Sequence, residues 1–186
     1  MGLRWLARGE GALPADLSWL TPGEAERAAT MRFPKRRNEY LLRRFAAKQA
    51  VALTTGLPAE AAALSRIAVL NAPSGAPYVL VDGAPAGVDV SISDRAGWAV
   101  CVVDGQPIGC DLELVEPRSK GFVRSFLTDA EQAYVAAASD RDVAANLVWS
   151  AKATSLRSRD ELSNVVCHAA LDQVQVRLHA PRTGSR

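Results

Sequence analysis

The chain is poor in the residues from which disulfide frameworks and metal centres are usually built. It contains three cysteines and two histidines among 186 residues. The cysteines are odd in number and none forms a CxxC pair, which argues against a disulfide framework and a structural zinc site. Cys101 and Cys110 lie in apolar runs, so we expect both to be small buried hydrophobic residues. His168 and His179 both lie in the C-terminal stretch, which gives little support to a His-Asp-Ser triad or a histidine metal site.

The chain also lacks a long apolar run and a strong excess of charge of either sign. Its apolar stretches are far shorter than the roughly 20 residues that a membrane-spanning helix needs. No apolar run near the N-terminus has the form of a signal peptide. The formal net charge of +2 is too small to indicate a nucleic-acid partner. We therefore expect a cytoplasmic protein that binds neither nucleic acid nor a membrane.

The residues that are present have the balance of an ordinary globular protein, with 48% hydrophobic and 23% charged. The length suits one compact domain or two small halves packed together. Hydrophobic spacing predicts a helical stretch over 21–57 broken at Pro34, an apolar run over 67–70, strands over 78–81, 87–93, 98–103 and 107–115, helices from 128 and over 142–156, and a strand over 174–178. This order predicts an α+β or mixed α/β fold.

Short local motifs mark where several of these elements begin or turn. Thr21 to Glu24 and Thr128 to Glu131 both have the spacing of a capping box at a helix start. Asp82-Gly83 and Asp104-Gly105 each predict a hairpin turn between the strands that flank them.

The strongest chemical pattern is the acidic strand predicted over 107–115, which contains Asp111 and Glu113 two residues apart. Alternate side chains of a strand share a face, so the two carboxylates point the same way with backbones about 7 Å apart. We expect this strand face to be exposed, and on it the two carboxylates repel each other unless a cation lies between them. Mg²⁺ suits a few carboxylates combined with waters and phosphates. Gly109 lets a ligand or another chain approach the backbone. We predict a divalent-metal site that holds a phosphate-bearing ligand; the alternative is an exposed acidic face paired with arginines.

A basic helix and three short segments accompany this strand. Arg44 and Lys48 are four residues apart and lie on one helix face. Such a pair suits a phosphate or diphosphate, although a pair of this kind taken alone is more often an ordinary solvated basic face. The three segments mean little singly: they are Ser-Gly-Ala-Pro-Tyr at 74–78, Ser-Ile-Ser-Asp at 91–94 and Trp-Ser-Ala-Lys at 149–152.

Taken in order, these five segments resemble the motifs of the two-half, surfactin-type 4′-phosphopantetheinyl transferases. That family has a basic RxxxK helix, a G-x-P loop, an S-x-S-H segment, an (I/V)-G-x-D-x-E strand and a W-x-x-K-E-x-x-x-K helix. The matching positions are Arg44 to Lys48, Gly75 to Pro77, Ser91 to Asp94, Ile108 to Glu113 and Trp149 to Arg157. The resemblance covers roughly residues 20–157.

The resemblance implies an α+β fold made of a pseudo-twofold pair of similar halves. Each half would be a small antiparallel sheet packed on helices, with the ligand cleft between the halves. The predicted N-terminal half is 1–103 and the predicted C-terminal half is 104–186. Since one chain supplies both halves, a monomer is expected.

The resemblance also implies an activity of the holo-acyl-carrier-protein synthase type. The 4′-phosphopantetheine group of coenzyme A would pass to a serine of an acyl or peptidyl carrier protein, with Mg²⁺ on the diphosphate. Asp111 and Glu113 would be the metal ligands and, with Lys152, the catalytic residues. Arg44 and Lys48 would hold phosphates, Gly75 and Pro77 would shape the adenine pocket, and Lys152 would contact the diphosphate. The predicted coenzyme A contacts are Arg44, Lys48, Gly75, Pro77, Ser93, Asp94, Arg95 and Lys152.

Three positions depart from the family pattern. The W-x-x-K-E glutamate, a third metal carboxylate and candidate base, is Ala153 here. Asp94 replaces the usual histidine, so either Asp94 pairs with Arg95 or Arg95 takes the role of the histidine. Arg157 replaces a lysine, and the stretch after Lys152 is short for the family. These departures leave open two alternatives to an active transferase: a coenzyme A-binding protein without turnover, and a related enzyme with other chemistry on a carrier-bound or coenzyme A-bound substrate.

A carrier protein of this family presents an acidic helix, which a basic surface would complement. Arg118, Lys120 and Arg124 form a basic stretch after the acidic strand. Three apolar residues of the same region could form a docking patch or belong to the core: Phe122, Phe126 and Leu127.

Overall fold

The computed structural model describes residues 2–157, 163–170 and 173–179, with side chains described for residues 2–152. The helices are α1 (Pro22–Thr30), α2 (Pro34–Thr55), α3 (Ala61–Leu64), α4 (Lys120–Phe126), α5 (Asp129–Ala137) and α6 (Arg141–Arg157). The strands are β1 (Arg4–Gly9), β2 (Ile67–Asn71), β3 (Pro77–Val81), β4 (Ala84–Pro85), β5 (Asp89–Arg95), β6 (Trp98–Asp104), β7 (Ile108–Leu114), β8 (Ser163–Ala170) and β9 (Gln173–His179).

These elements form small sheets packed on helices, which confirms the α+β class. The sheets have three strands each, in the orders β1-β6-β5, β2-β3-β4 and β7-β8-β9. The chain divides into two compact units, 1–108 and 109–186. The predicted halves, 1–103 and 104–186, and their pseudo-twofold relation stay predictions. Among the described residues, no helix has the length and apolar character needed to cross a membrane.

In the first unit, α2 packs against β1, β5 and β6 and also against β2. Its apolar face supplies nine of the twenty buried residues of the core, where the Trp19 and Phe45 rings meet edge to face with centroids 5.1 Å apart. The helix ends at Gly56, whose φ of 75° is the left-handed conformation that glycine adopts at little cost. α2 is therefore the element that sets the positions of both small sheets.

Local chemistry fixes the helix starts and one hairpin as the sequence predicts. The side chains of Thr21 and Thr128 accept hydrogen bonds from the backbone N–H groups of Glu24 and Glu131, and both capping boxes are complete. Asp82 and Gly83 have φ values of 51° and 80° between β3 and β4, the backbone that an Asp-Gly hairpin turn requires.

The predicted hairpin at Asp104-Gly105 is wrong. β6 pairs antiparallel with β1 on one edge and with β5 on the other, so no edge of β6 is left for β7. β7 belongs instead to the sheet with β8 and β9. The cause is β1, an N-terminal strand that the apolar pattern did not predict, because it occupies the edge that a hairpin would have used.

In the second unit, the helices α4, α5 and α6 surround a small apolar cluster of Leu127, Val135, Ala144 and Ala145. Leu127 is 5% exposed, so it is a core residue and not part of a docking patch. The sequence analysis did not predict α4 or β8. The strand predicted at 174–178 is present as β9.

Candidate functional site

The acidic strand is held to α6 by a hydrogen bond between two buried side chains. The hydroxyl of Ser150 donates to Oδ2 of Asp111 over 3.0 Å. Asp111 is 3% exposed and Ser150 is fully buried. The sequence analysis expected both carboxylates on an exposed face, and for Asp111 this is wrong because the residues from Ile108 to Leu112 are all buried. This bond joins two of the five motif segments directly.

Asp111 and Glu113 supply the carboxylates that a magnesium site would use. Glu113 is partly exposed two residues further along β7. Among the described residues, no group of three or more His, Cys, Asp or Glu side chains could hold a metal. A Mg²⁺ site formed by one or two of these carboxylates, with water and phosphate oxygens as the other ligands, stays a prediction.

Lys152 lies on α6 and forms an ion pair with Glu131 of α5. Its Nζ is 2.7 Å from Oε2 of Glu131. Partial burial raises the pKa of Glu131, but the hydrogen bonds from Lys152 and Thr128 outweigh it, so the pKa lies below its ordinary value of 4.5. About a third of the Lys152 side chain is exposed. A phosphate at Lys152 would share this cation with Glu131.

Trp149 belongs to an aromatic cluster on the same helix. Its ring meets those of Phe122 and Phe126 edge to face, at centroid distances of 5.2 and 5.4 Å. The guanidinium of Arg118 lies over the Phe122 ring at 4.9 Å, and its Nε donates to Oδ1 of Asn146 over 2.7 Å. Trp149 thus packs α6 against α4.

The basic helix of the first unit places Lys48 in the core. Lys48 is fully buried, with Nζ 2.5 Å from Oε2 of Glu24. Burial lowers the pKa of Lys48 below 10.5 against the opposing effect of Glu24. Its predicted phosphate contact stays a prediction, and it would require Lys48 to exchange a buried partner for the ligand.

Arg44 connects this buried pair to the G-x-P loop. Its Nη2 donates to Oδ1 of Asn71 over 3.1 Å, and Nδ2 of Asn71 donates to the carbonyl of Gly75 over 2.9 Å. Gly75 has a φ of 88° in the turn between β2 and β3, a conformation that disfavours any side chain. Pro77 pairs with Asn71 at the start of β3. Asn71 therefore links Arg44 to the loop that contains Gly75 and Pro77, and the contacts of these three residues with coenzyme A stay predictions.

The S-x-S-D segment also meets α2. Arg43 pairs with Asp94, with Nη1 3.1 Å from Oδ1. The partner of Asp94 is thus Arg43 of the neighbouring helix, and the role of Arg95 in place of the family histidine stays a prediction. Ser93 is buried and Arg95 is exposed at the end of β5.

Sequence reasoning missed three residues that organise these segments. Glu24 was identified only as a capping residue, yet it also binds Lys48. Asn146 is fully buried and its Nδ2 donates to the carbonyl of Glu116 over 2.7 Å. Ser150 was included only as a motif position. The spacing of Asn146 and Ser150, one helical turn apart before Lys152, was the pattern that could have indicated a polar helix face.

Comparison with known proteins gives similarities only among solved structures. No protein-family model and no curated protein matches the chain. A holo-acyl-carrier-protein synthase from Bacillus anthracis, in complex with CoA (3′,5′-ADP), is similar with a TM-score of 0.46 and 24% identity over 55% of this chain and 92% of that one. The corresponding enzyme from Neisseria meningitidis has a TM-score of 0.45 and 22% identity over 55% and 94%. That from Plasmodium yoelii has a TM-score of 0.45 and 20% identity over 55% and 91%.

Proposed function

We propose that the protein transfers 4′-phosphopantetheine from coenzyme A to a serine of an acyl or peptidyl carrier protein, with Mg²⁺. The observation that carries this proposal is that hydrogen bonds join motif segments that lie far apart in sequence. Ser150 of the W-x-x-K helix binds Asp111 of the acidic strand. In the other unit, Arg43 of α2 binds Asp94 of the S-x-S-D segment. Arg44 binds Asn71, whose side chain in turn binds the carbonyl of Gly75 in the G-x-P loop.

In the first unit, the proposed task is to bind coenzyme A. Arg44 offers a guanidinium at the hairpin turn, and a guanidinium suits the paired oxygens of a phosphate. Gly75 and Pro77 would shape the adenine pocket in the same turn. Ser93, Asp94 and Arg95, at the end of β5, would complete the contacts with the ligand.

In the second unit, the proposed task is the chemistry at the diphosphate. Asp111 and Glu113 would hold Mg²⁺, which when bound neutralises phosphate charge. Lys152 would place its ammonium against the diphosphate. The serine hydroxyl would displace adenosine 3′,5′-bisphosphate from the phosphorus that carries pantetheine, and a base would accept the serine proton.

The alternative is a protein that keeps coenzyme A or carrier recognition without this transfer. It is favoured by one sequence observation, because Ala153 stands where the family has a glutamate. Alanine can neither bind a metal nor accept a proton. The loss of a general base costs about 10²–10⁴-fold in rate.

The test is a mass-spectrometric transfer assay with Mg²⁺, coenzyme A and an apo carrier protein. The expected result is the mass of phosphopantetheine on the carrier serine, lost in Asp111→Ala. Coenzyme A binding by calorimetry without transfer would favour the alternative. The alternative would be supported further if Ala153→Glu, but not the uncharged Ala153→Gln, raised the transfer rate by about 10²-fold or more. Absence of both binding and transfer would refute the proposal.

A further inference from the structure

Glu24 joins three elements of the first unit through one buried carboxylate. Its Oε2 accepts a hydrogen bond from the backbone N–H of Thr21 over 2.9 Å at the start of α1. Its Oε1 accepts from the backbone N–H of Val69 over 3.1 Å on β2. The same carboxylate meets Lys48 on α2, and Glu24 is only 3% exposed. A capping residue alone needs neither of the last two contacts.

Lys48 is fully engaged within the protein. An ammonium group has three N–H donors, and three oxygens surround this one. They are Oε2 of Glu24 at 2.5 Å, the carbonyl of Trp19 at 2.9 Å and the carbonyl of Leu64 at 3.2 Å. A phosphate could bind Lys48 only by displacing one of these buried oxygens.

Arg44 runs from this buried carboxylate to the exposed hairpin turn. Its Nε lies 4.0 Å from Oε1 of Glu24 and, in the described part of the chain, has no hydrogen-bond partner. Its guanidinium stacks over the ring of Tyr40 at 4.9 Å, and its other end binds the exposed Asn71. The charge of Glu24 therefore attracts the inner end of Arg44 across 4.0 Å, while the hydrogen bond to Asn71 holds the outer end.

We propose that Glu24 is a positioning residue of the coenzyme A site: it holds Arg44 for a phosphate group, and Lys48 is its buried counter-ion and not a phosphate ligand. This inference rests on the proposed function, since it takes coenzyme A as the ligand of Arg44. Glu24 touches no ligand and acts through Arg44.

The sign of the effect of Glu24→Gln on coenzyme A affinity tests the proposal. If Lys48 is a direct ligand, Glu24→Gln removes a negative charge and frees Lys48, so the anionic ligand binds more tightly. If Glu24 positions Arg44, the same variant loosens Arg44 and weakens binding by about tenfold. Calorimetric titration of coenzyme A measures the difference, and unchanged or tighter binding would overturn the proposal.

The double variant Glu24→Gln/Lys48→Met separates the two roles further, and removing both charges together avoids leaving one buried charge unpaired. The double variant is expected to bind coenzyme A as weakly as Glu24→Gln does. An additional loss of about tenfold would identify Lys48 as a phosphate ligand and overturn the proposal. The matched control is Lys35→Met, which removes one cation from the same helix where the side chain is 90% exposed. It should leave the affinity unchanged.

A second readout does not depend on coenzyme A. In ¹⁵N-labelled protein, the Nε–H of Arg44 should exchange with water about tenfold faster in Glu24→Gln than in the wild type or Lys35→Met. If the wild type fails to bind coenzyme A, the proposed function fails while this exchange measurement still decides the positioning role. An Arg44 exchange rate unaffected by Glu24→Gln, in a variant with the circular dichroism spectrum of the wild type, would overturn the inference.

Discussion

The hydroxyl of Ser150 connects α6 to Asp111 by a hydrogen bond of 3.0 Å. Both groups are buried, so the bond is formed where water cannot replace it. The acceptor of this hydrogen bond is Oδ2 of Asp111, a carboxylate that would be charged when it binds a metal. Hydrogen bonds to charged groups are stronger than those between neutral groups. This hydrogen bond thus helps to set the position of Asp111.

The first prediction concerns this bond. Ser150→Ala should lower the free energy of unfolding by about 1.5–3 kcal/mol, because the buried carboxylate loses a donor. Urea denaturation measures the change. Ser125→Ala, at an exposed serine of α4, is the control and should change the free energy of unfolding by less than about 0.5 kcal/mol. Equal effects of the two substitutions would show that the hydrogen bond does not stabilise the fold.

At the scale of elements, Lys152 and Glu131 connect α6 to α5. Gln also completes a capping box, so Glu131→Gln removes the charge and keeps the helix start. The pKa of Glu131 is below its ordinary value of 4.5 in the folded protein. A carboxyl with a depressed pKa stabilises the folded state above that ordinary value, and this contribution is lost as the pH falls through the folded-state pKa.

The second prediction follows from the lowered pKa of Glu131. The melting temperature of the wild type should exceed that of Glu131→Gln at pH 7, and the difference should shrink as the pH falls below 4.5. Calorimetric or circular-dichroism melts at a series of pH values measure it. In a Lys152→Met background the difference should be smaller at pH 7, because the hydrogen-bonding cation is gone. A difference that stays constant from pH 7 to acid would contradict the assignment.

The elements differ in how far the sequence predicts them, and the difference is physical. Capping boxes and the Asp82-Gly83 turn depend on residues within four positions of each other, so local chemistry decides them. The partner of β6 depends on β1, about ninety residues earlier in the chain. The residues Asp104-Gly105 alone cannot show whether β1 or β7 pairs with that edge of β6.

The candidate site shows the same limit at its charged residues. Spacing placed Arg44 and Lys48 on one helix face, and both indeed meet Glu24, at 4.0 and 2.5 Å. The spacing of Arg44 and Lys48 could not show whether their helix face binds a phosphate ligand or contacts a buried carboxylate. The carboxylate belongs to Glu24, which lies on another helix. The burial of Asp111 was missed for the same reason, since Ser150 reaches it from α6.

At the scale of the whole molecule, the basic residues after the acidic strand have separate tasks. Arg118 is held by Asn146 and by the ring of Phe122, so its substitution would disturb the packing of α4. Lys120 and Arg124 are exposed on α4, close in sequence to the exposed ring of Phe126. These two cations with Phe126 are the part of the sequence-predicted docking surface that the fold leaves accessible.

The third prediction tests this surface for the proposed carrier partner. Lys120→Glu/Arg124→Glu should slow phosphopantetheine transfer to an acidic carrier by about tenfold at low salt, because charge complementarity mainly raises the association rate. The effect should decrease at high salt, where exposed charges are screened. The control Arg32→Glu/Arg36→Glu makes the same change in net charge at two exposed arginines of the first unit. If the control variant slows transfer equally, the net charge of the protein attracts the carrier and α4 has no special role. If neither double variant slows transfer, the carrier binds without these cations.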